Sequence, residues 1–272
     1  MKALSLHYRT TLKAQNQPHT ITVHLEFLRR TSVGPAKFVV KNVKLGRQTS
    51  ICHVTLIQED REEVVGYFTN TNLGTEKGPS FETGWTLHPP TRPVDLQALK
   101  RGDDKEWTQQ AEMPFANFRK ASQRVKWFFP RNGQPLKSVS DEWLTFTTGE
   151  RFTQESLGFL CDMFPQVVEN YHHDDPYTVS KRSGKSKPPA AMYWYPTLLL
   201  NLDVKKALPE EGVEFLFIRA QTKKIKNGRI DLEIIIMDEE GDVIALSHHV
   251  TLVLGTERNL AKRKVTDGSS KI

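Results

Sequence analysis

Hydrophobic and polar residues alternate over much of the first quarter of the chain. A segment that begins at His19 places apolar side chains at every second position, at Ile21, Val23, Leu25 and Phe27. This period of two predicts a β-strand with one apolar face. Apolar segments that begin at Ala36, Ser50 and Val64 predict three more strands, joined by short polar links. Because short links join neighbouring antiparallel strands, we expect an antiparallel meander.

The residues around these strands have a different periodicity. Before the first strand, apolar side chains are spaced four positions apart, at Leu4, Tyr8 and Leu12. This spacing predicts a short amphipathic helix that ends before Pro18. From Leu73 to about Asn132, Pro and Gly recur among three tryptophans. We interpret this region as a connector that packs through its aromatic residues, with a strand near 124–129.

The second half of the chain repeats the pattern of the first. A strand is predicted from Asp141, and a helix over about 154–170, with Thr153 as its capping residue. The apolar stripe of this helix consists of Leu157, Leu160, Cys161, Phe164 and Val168. Pro165 within the stripe predicts a kink or an early end. Four strand segments follow, beginning at Tyr195, Val213, Arg229 and Val243.

The chain thus contains a helix followed by four strands twice in succession. This repeat predicts an α+β fold with two antiparallel sheets, each wrapped around a helix. We expect the domains to be 1–130, the first repeat with its connector, and 131–272, the second repeat. The first repeat starts inside its helix and lacks the leading strand of the second, so either it is abridged or the chain begins late. It is therefore expected to be a structural partner and not the active centre. Two such sheets can associate along their edges, so a homo-oligomer is possible.

Composition limits the classes of function. Of 272 residues, 38% are hydrophobic and 26% are charged, as in a globular protein. No apolar segment approaches the ~20 residues that span a bilayer, and no signal peptide is apparent, so we expect a cytoplasmic protein. The net charge of +6 is scattered, which argues against nucleic-acid binding. Its small clusters near Lys181, Lys223 and Lys262 are either solvated loops or attract an anionic substrate such as coenzyme A.

Several segments together resemble a known family. In the first repeat they are VHLEFLRR and KLGRQTSICHVTLIQ, and in the second DEWLTF, FTQESLGFLCDMFP, PTLLLNLDV and NGRIDLEIIIMDEEGDVIALSHH. Their order and duplication resemble the tandem hotdog organisation of the bacterial acyl-CoA thioesterase II family and of fungal thioesterase-like proteins. The resemblance covers about 18–70 and 143–254. It implies a double hotdog fold and an acyl thioester as substrate.

The resemblance also implies a catalytic site in the second repeat. The family's carboxylate matches Asp162, its strand-opening hydroxyl matches Thr197, and its glutamine position is occupied by His249. Asp162 follows the apolar stripe, so partial burial could raise its pKa and make it a general base; the alternative is a solvated carboxylate. Thr197 could donate to an oxyanion, or simply open its strand. His249 shares a strand face with Ser247 and could position water, act as a base, pair with Asp162 or be structural.

Other candidates for chemistry are weaker. The run His172, His173, Asp174 and Asp175 has the composition of a metal site, but consecutive loop residues rarely converge on one ion, so we expect no metal. Cys161 lies on the apolar stripe, which favours packing over nucleophilic chemistry. No Gly-x-Ser-x-Gly motif and no glycine-rich phosphate loop is present, so we expect neither a serine hydrolase nor a cofactor.

The leading hypothesis is hydrolysis of an acyl thioester such as acyl-CoA, with the acyl chain in a tunnel between helix and sheet. One alternative is a repurposed hotdog enzyme of a fungal biosynthetic pathway, acting as a cyclase, dehydratase or product-release factor. The other is a non-catalytic binding protein. The C-terminal Ser-Lys-Ile is close to the peroxisomal signal Ser-Lys-Leu, although a plain polar tail is the favoured explanation.

Overall fold

A computed structural model describes residues 1–110, 119–164, 166–171 and 193–255. The helices are α1 (Lys2–Thr10), α2 (Leu96–Arg101) and α3 (Leu157–Leu160). The strands of the first half are β1 (His19–Phe27), β2 (Lys37–Lys44), β3 (Ser50–Gln58) and β4 (Arg61–Thr71). Those that follow are β5 (Trp107–Gln109), β6 (Val125–Pro130), β7 (Val139–Phe146), β8 (Tyr193–Trp194), β9 (Thr197–Val204), β10 (Leu216–Gln221), β11 (Ile225–Lys226), β12 (Arg229–Met237), β13 (Val243–Leu252) and β14 (Leu254–Gly255). All the strands that were predicted from the alternating pattern are present.

Twelve of these strands form one antiparallel sheet in the order β2-β3-β4-β1-β9-β13-β12-β10-β7-β6-β5, with β11 added beside β12. The two halves meet where β1 pairs with β9, so both repeats belong to one continuous sheet. In each repeat the first strand pairs with the last, β1 with β4 and β9 with β13. The predicted double hotdog fold is confirmed.

The predicted meander is correct for β2, β3 and β4 and wrong for β1. This strand lies beside β4, not beside β2. The physical reason is that this position gives β1 a hydrogen-bonded neighbour at both edges. One edge pairs with β4, and the other pairs with β9 and places Leu25 opposite Leu200. Strand β2 instead forms one edge of the sheet and exposes Phe38, Val39 and Val43. Association of two copies through such an edge stays a prediction.

Helix α1 covers the core face of the first repeat, as the sequence predicted. Leu4, Tyr8 and Leu12 are all buried. The helix is tied to the second repeat by Ser5, whose hydroxyl donates to Glu155 at 2.7 Å, and by an ion pair of 3.0 Å between Arg9 and Glu155. The two repeats therefore share one core.

The long helix predicted over 154–170 is wrong. The α-helical part is only the four residues of α3, flanked by short 3₁₀ segments at Gln154–Ser156 and Val167–Tyr171. A proline has no N–H to continue the helical hydrogen bonds and disfavours helical backbone in the residue before it, so the sequence disfavours a helix that runs on through position 165. Pro165 itself lies outside the described residues. The apolar stripe is nevertheless buried in full, because α3 directs Leu157 into the core and the turn after it does the same for Cys161 and Phe164.

The connector packs against the outer face of the second repeat. Trp107 is fully buried against Phe217, with ring centroids 6.2 Å apart, and its Nε1 donates to the carbonyl of Pro93 at 3.0 Å. Strand β6 confirms the strand predicted near 124–129, whereas α2 and β5 were not predicted. Because helix, turns and connector cover both faces of this part of the sheet, almost every residue of β7 is buried.

This two-sided burial encloses two neighbouring carboxyl groups of β7 with opposite surroundings. Asp141 forms a two-armed ion pair with Arg219, at 2.6 and 2.7 Å, and the same guanidinium donates to the carbonyl of Pro89 at 2.6 Å. Glu142 points to the other face, is fully buried, and neither of its oxygens has a hydrogen-bond partner. Burial, and to a lesser degree the charge of Asp141, raises the pKa of Glu142 well above its ordinary value. The side chain is therefore held in its neutral form.

We expect Glu142→Met to stabilise the protein at pH 8 by about 1–3 kcal/mol, because an unpartnered buried polar group is replaced by an apolar one of similar size. A carboxyl whose pKa is raised by folding loses stability as the pH rises above its unfolded value of about 4.3, so the gain should grow from pH 4 to pH 8. Urea unfolding across this pH range measures it.

Glu169→Met is the matched control. Glu169 is also buried, but it forms an ion pair of 2.6 Å with Arg119. Its loss should therefore destabilise the protein, since it leaves the partly buried guanidinium of Arg119 without its carboxylate. Equal destabilisation by both substitutions would show that Glu142 has a stabilising partner.

Candidate functional site at the core face of the second repeat

The core face of β13 carries three polar side chains in a row. Ser247, His249 and Thr251 alternate along the strand, and all three are buried, with His249 fully so. His248 lies on the opposite face and is exposed, as the alternation predicted. Polar residues are unusual in this position, since Leu200, Leu202 and Leu232 surround them on the neighbouring strands. The row is a polar strip within an apolar core.

Ser247 is the centre of a compact hydrogen-bond cluster. Its hydroxyl lies 2.6 Å from the backbone oxygen of Asn201 and 2.9 Å from Nε2 of His249. Ser247 also lies near the thiol of Cys161; burial raises the pKa of that thiol, and Ser247 lowers it to a smaller extent. The ring of Phe164 meets the ring of His249 edge to face, with centroids 6.0 Å apart. The turn after α3 therefore packs directly on the polar strip.

The environment keeps His249 neutral. Burial, assisted by the nearby charge of His248, lowers the pKa of His249 to about 4. Its Nδ1 is buried and has no hydrogen-bond partner. A neutral imidazole with a free nitrogen can accept a hydrogen bond or a proton.

Thr197 reaches the same face through an irregularity in the strand pairing. His249 lies opposite Leu200 and Val250 opposite Leu199, but Thr251 lies opposite Thr197. The extra residue in β9 is a β-bulge, which turns Thr197 towards the face that carries Thr251. Thr197 is half-buried, and the hydroxyl of Thr251 is buried without a hydrogen-bond partner. Two hydroxyls thus lie beside His249.

Asp162 lies in the turn between Cys161 and Phe164, the two residues that contact the strip. Its side chain is exposed, yet the surrounding protein desolvates the carboxylate and raises the pKa of Asp162 to about 6. Within the described part of the chain, no residue forms a hydrogen bond or ion pair with this carboxylate. The structure therefore places Thr197 and His249 on one face and Asp162 in the adjacent turn, without direct contact between Asp162 and either of them.

Sequence reasoning missed two members of this cluster. Thr251 was not singled out, and Ser247 was noted only as the neighbour of His249 on its face. The signal that finds both is the alternation along β13, where Ser247, His249 and Thr251 place polar side chains at every second position of the buried face. The packing role predicted for Cys161 fits its surroundings, since burial raises the pKa of its thiol to about 12.

A cavity of about 720 Å³ lies on the same sheet face, in the first repeat. Residues of α1, together with Phe159 of α3, line the side of the cavity that faces the sheet. Its floor is formed by Leu25, Phe27, Val54, Leu56, Val64 and Phe68. The strand pairing connects this cavity to the polar strip. His249 lies opposite Leu200, and Leu200 lies opposite Leu25, which lines the cavity. Since neighbouring strands are about 4.8 Å apart, the cavity begins about 10 Å from His249.

Two further expectations concern metals and membranes. The residues described by the structure contain no group of three or more His, Cys, Asp or Glu side chains able to hold a metal ion. His172 to Asp175, the cluster considered in the sequence, lie outside the described residues, as does the C-terminal Ser-Lys-Ile. Among the described helices, none is long and apolar enough to cross a bilayer.

Fold and site together define a double hotdog protein of the thioesterase type. Two family models match the chain: "Acyl-CoA thioesterase N-terminal domain" over residues 1–71 and "Acyl-CoA thioesterase C-terminal domain" over residues 89–253. A curated relative, "Thioesterase-like protein TwmA" of Talaromyces wortmannii, is 35% identical over 96% of this chain and 83% of that protein. The chain belongs to the acyl-CoA thioesterase family.

Solved structures agree on the fold. A putative thioesterase II from Thermobifida fusca superimposes with a TM-score of 0.65 at 18% identity, over 92% of this chain and 84% of that one. A hot dog fold protein from Alicyclobacillus acidocaldarius gives a TM-score of 0.64 at 16% identity, over 92% and 86% of the two chains. Acyl-CoA thioesterase II TesB2 from Mycobacterium marinum gives 0.52 at 15% identity, over 87% and 81%.

The unpartnered hydroxyl of Thr251 leads to a prediction about stability. Thr251→Val should leave the free energy of unfolding unchanged or raise it by up to about 1 kcal/mol, because no hydrogen bond is lost. The matched control is Thr20→Val, since the equally buried Thr20 donates to Oδ1 of Asn70 at 3.0 Å. This control should lose about 1–3 kcal/mol. Equal losses in urea unfolding would mean that Thr251 has a structural partner.

Proposed function

We propose that the protein hydrolyses an acyl thioester, with acyl-CoA as the substrate class and Asp162, Thr197 and His249 as the site. The observation that carries this proposal is the placement of a neutral, buried His249 and the hydroxyl of Thr197 on one sheet face, beneath the turn that holds Asp162. The second repeat, expected to include residues 131–272, supplies all three side chains. The first repeat supplies most of the cavity lining, and the second repeat adds residues such as Phe146 and Phe159.

In the proposed reaction a water molecule attacks the thioester carbonyl carbon. Asp162 takes one proton from this water as the new carbon–oxygen bond forms, and the carbonyl electron pair moves to its oxygen. Thr197 donates a hydrogen bond to that oxygen. When the carbonyl reforms, the carbon–sulfur bond breaks and the thiolate accepts the proton from Asp162. The products are a carboxylic acid and a thiol, and the site returns to its starting state.

The cavity of the first repeat supports an acyl chain as the apolar part of the substrate. Its volume lies within the range of small-molecule sites, and the side chains that β1, β3 and β4 contribute to it are aliphatic and aromatic, although Lys2, Arg124 and Glu150 also line it. A carbonyl at Thr197 would direct a chain across β9 and β1, past Leu25, into this cavity. This route lies between helix and sheet, as the sequence-based hypothesis expected.

A basic groove at the end of β13 supports coenzyme A as the thiol part. Lys224, Lys226 and Arg229 line it together with Leu252, the residue that follows Thr251. These three cations are exposed. A groove of this charge would attract the phosphates of coenzyme A, whereas a short neutral thioester would gain nothing from it.

A second candidate function is that of a repurposed hotdog enzyme, and His249 in the family's glutamine position favours it. Such an enzyme would share the cavity and the polar strip without hydrolysing a thioester. Absence of turnover across an acyl-CoA series, together with binding of the acyl chain, would support this alternative.

Asp162→Asn should reduce kcat by about 10²–10⁴-fold, because an amide cannot take the proton of water.

In the parent enzyme, activity should fall tenfold for each pH unit below about 6, since the pKa of Asp162 is raised to that value and only the carboxylate acts as base. Steady-state hydrolysis of palmitoyl-CoA from pH 4.5 to 8.5 measures both. Asp103→Asn, which removes an exposed carboxylate of the connector, should have no effect. Turnover that survives Asp162→Asn contradicts the assignment.

Val64→Phe should shorten the cavity and therefore select against long acyl chains. Each methylene that loses its apolar surroundings costs about 0.8 kcal/mol, so the KM for palmitoyl-CoA should rise roughly tenfold or more, and that for acetyl-CoA should not change. Val65→Phe is the control, since Val65 is adjacent on the strand and faces away from the cavity. An equal effect of Val64→Phe on both substrates would place the chain elsewhere.

A further inference from the structure

We infer that Ser247 fixes the protonation of the His249 ring, so that Nδ1 of His249 accepts a hydrogen bond from the attacking water. Ser247 is thus a positioning residue, and His249 replaces the family's glutamine as a hydrogen-bond acceptor. This inference rests on the proposed function for the identity of the water, but not for the state of the ring.

The first step concerns the single hydrogen of the Ser247 hydroxyl. A serine hydroxyl has one donor and two acceptor positions. The backbone oxygen of Asn201, 2.6 Å away, can only accept, so it takes this hydrogen. The contact of 2.9 Å between the hydroxyl and Nε2 of His249 is then a hydrogen bond only if Nε2 carries the proton.

The second step follows from the neutrality of the ring. A neutral imidazole carries one proton, so protonation at Nε2 leaves a lone pair at Nδ1. Nδ1 has no hydrogen-bond partner and is buried, which would ordinarily cost about 1–3 kcal/mol. A buried polar group without a partner requires an explanation, and a catalytic role that includes a bound water molecule supplies one.

The third step is the geometry of the attacking water. A water molecule has two hydrogens and needs a free lone pair to attack the carbonyl carbon. Asp162 accepts one hydrogen in the proposed reaction, and Nδ1 of His249 is a suitable acceptor for the other. Because the raised pKa of Asp162 lies above the lowered pKa of His249, the carboxylate is the stronger base and takes the proton. His249 orients the water.

This division of roles accounts for a histidine where the family has glutamine. The amide oxygen of glutamine and an unprotonated imidazole nitrogen are both neutral hydrogen-bond acceptors. Histidine performs the role only if it stays unprotonated and presents the correct nitrogen. Burial ensures the first condition, and Ser247 ensures the second.

The direct test is a long-range ¹H–¹⁵N correlation spectrum of the full-length protein at pH 7, with ¹⁵N-labelled histidine assigned through His249→Gln. We expect His249 to be neutral with the proton on Nε2. In Ser247→Ala this preference should be lost, whereas Ser140→Ala should keep it, because Ser140 is equally buried on β7 of the same sheet and does not touch His249. A proton on Nδ1 in the parent protein overturns the inference.

Kinetics of the same proteins test the role of the ring nitrogen. His249→Gln retains an acceptor and should keep kcat within about tenfold, whereas His249→Leu removes it and should reduce kcat by about a hundredfold. Ser247→Ala should lower kcat with little change in KM. Equal activity of the glutamine and leucine variants overturns the proposed role. If the parent protein hydrolyses no acyl thioester, the proposed function fails, while the spectrum still decides the state of His249.

Discussion

The pairing of β1 with β9 is the constraint on which the rest of the structure depends. It places the two repeats in one sheet, so that a single core face runs from the open edge of β2 to the connector. The cavity and the polar strip lie on this face, two strands apart, because Leu25 and His249 both lie opposite Leu200. Separate sheets would leave each repeat with half of these features. The proposed division of roles between the repeats thus follows from strand order.

Burial on both faces is the second consequence of this architecture. In the second repeat the connector covers the outer side of the sheet, so polar side chains there must be paired or neutral. Asp141 is paired, with Arg219, and Glu142 is neutral. The same physics lowers the pKa of His249 and raises that of Cys161. Desolvation, more than any single charge, sets the protonation states around the proposed site.

The alternating pattern predicted the strands because strand geometry is local: side chains two residues apart share a face whatever the strand pairs with. Pairing is not local, and for this reason the neighbour of β1 was predicted wrongly. The helix over 154–170 was wrong for a related reason. Its apolar stripe correctly indicated which residues are buried, but Cys161 and Phe164 reach the core through a turn as well as they would through a helix. A pattern of burial does not specify the backbone that achieves it.

The candidate site was predictable in part. Thr197 and His249 were found through the resemblance, and the structure places both on the core face. The bulge in β9 that turns Thr197 towards this face has no signature in the sequence, because an unpaired residue looks like any other strand residue. Which groups form hydrogen bonds with His249 depends on differences of tenths of an ångström between atoms, and the sequence pattern does not specify such differences.

The replacement of glutamine by histidine is best understood as an exchange of one constraint for another. An amide can turn its oxygen towards a ligand at any pH, whereas an imidazole must be kept neutral and in one protonation form. In this protein, the apolar strands around β13 satisfy the first requirement, and the hydroxyl of Ser247 satisfies the second by giving its only hydrogen to the backbone of Asn201. Because that acceptor belongs to the pairing of β9 with β13, the state of His249 is tied to the sheet itself. The proposed exchange of glutamine for histidine therefore requires no change in the fold.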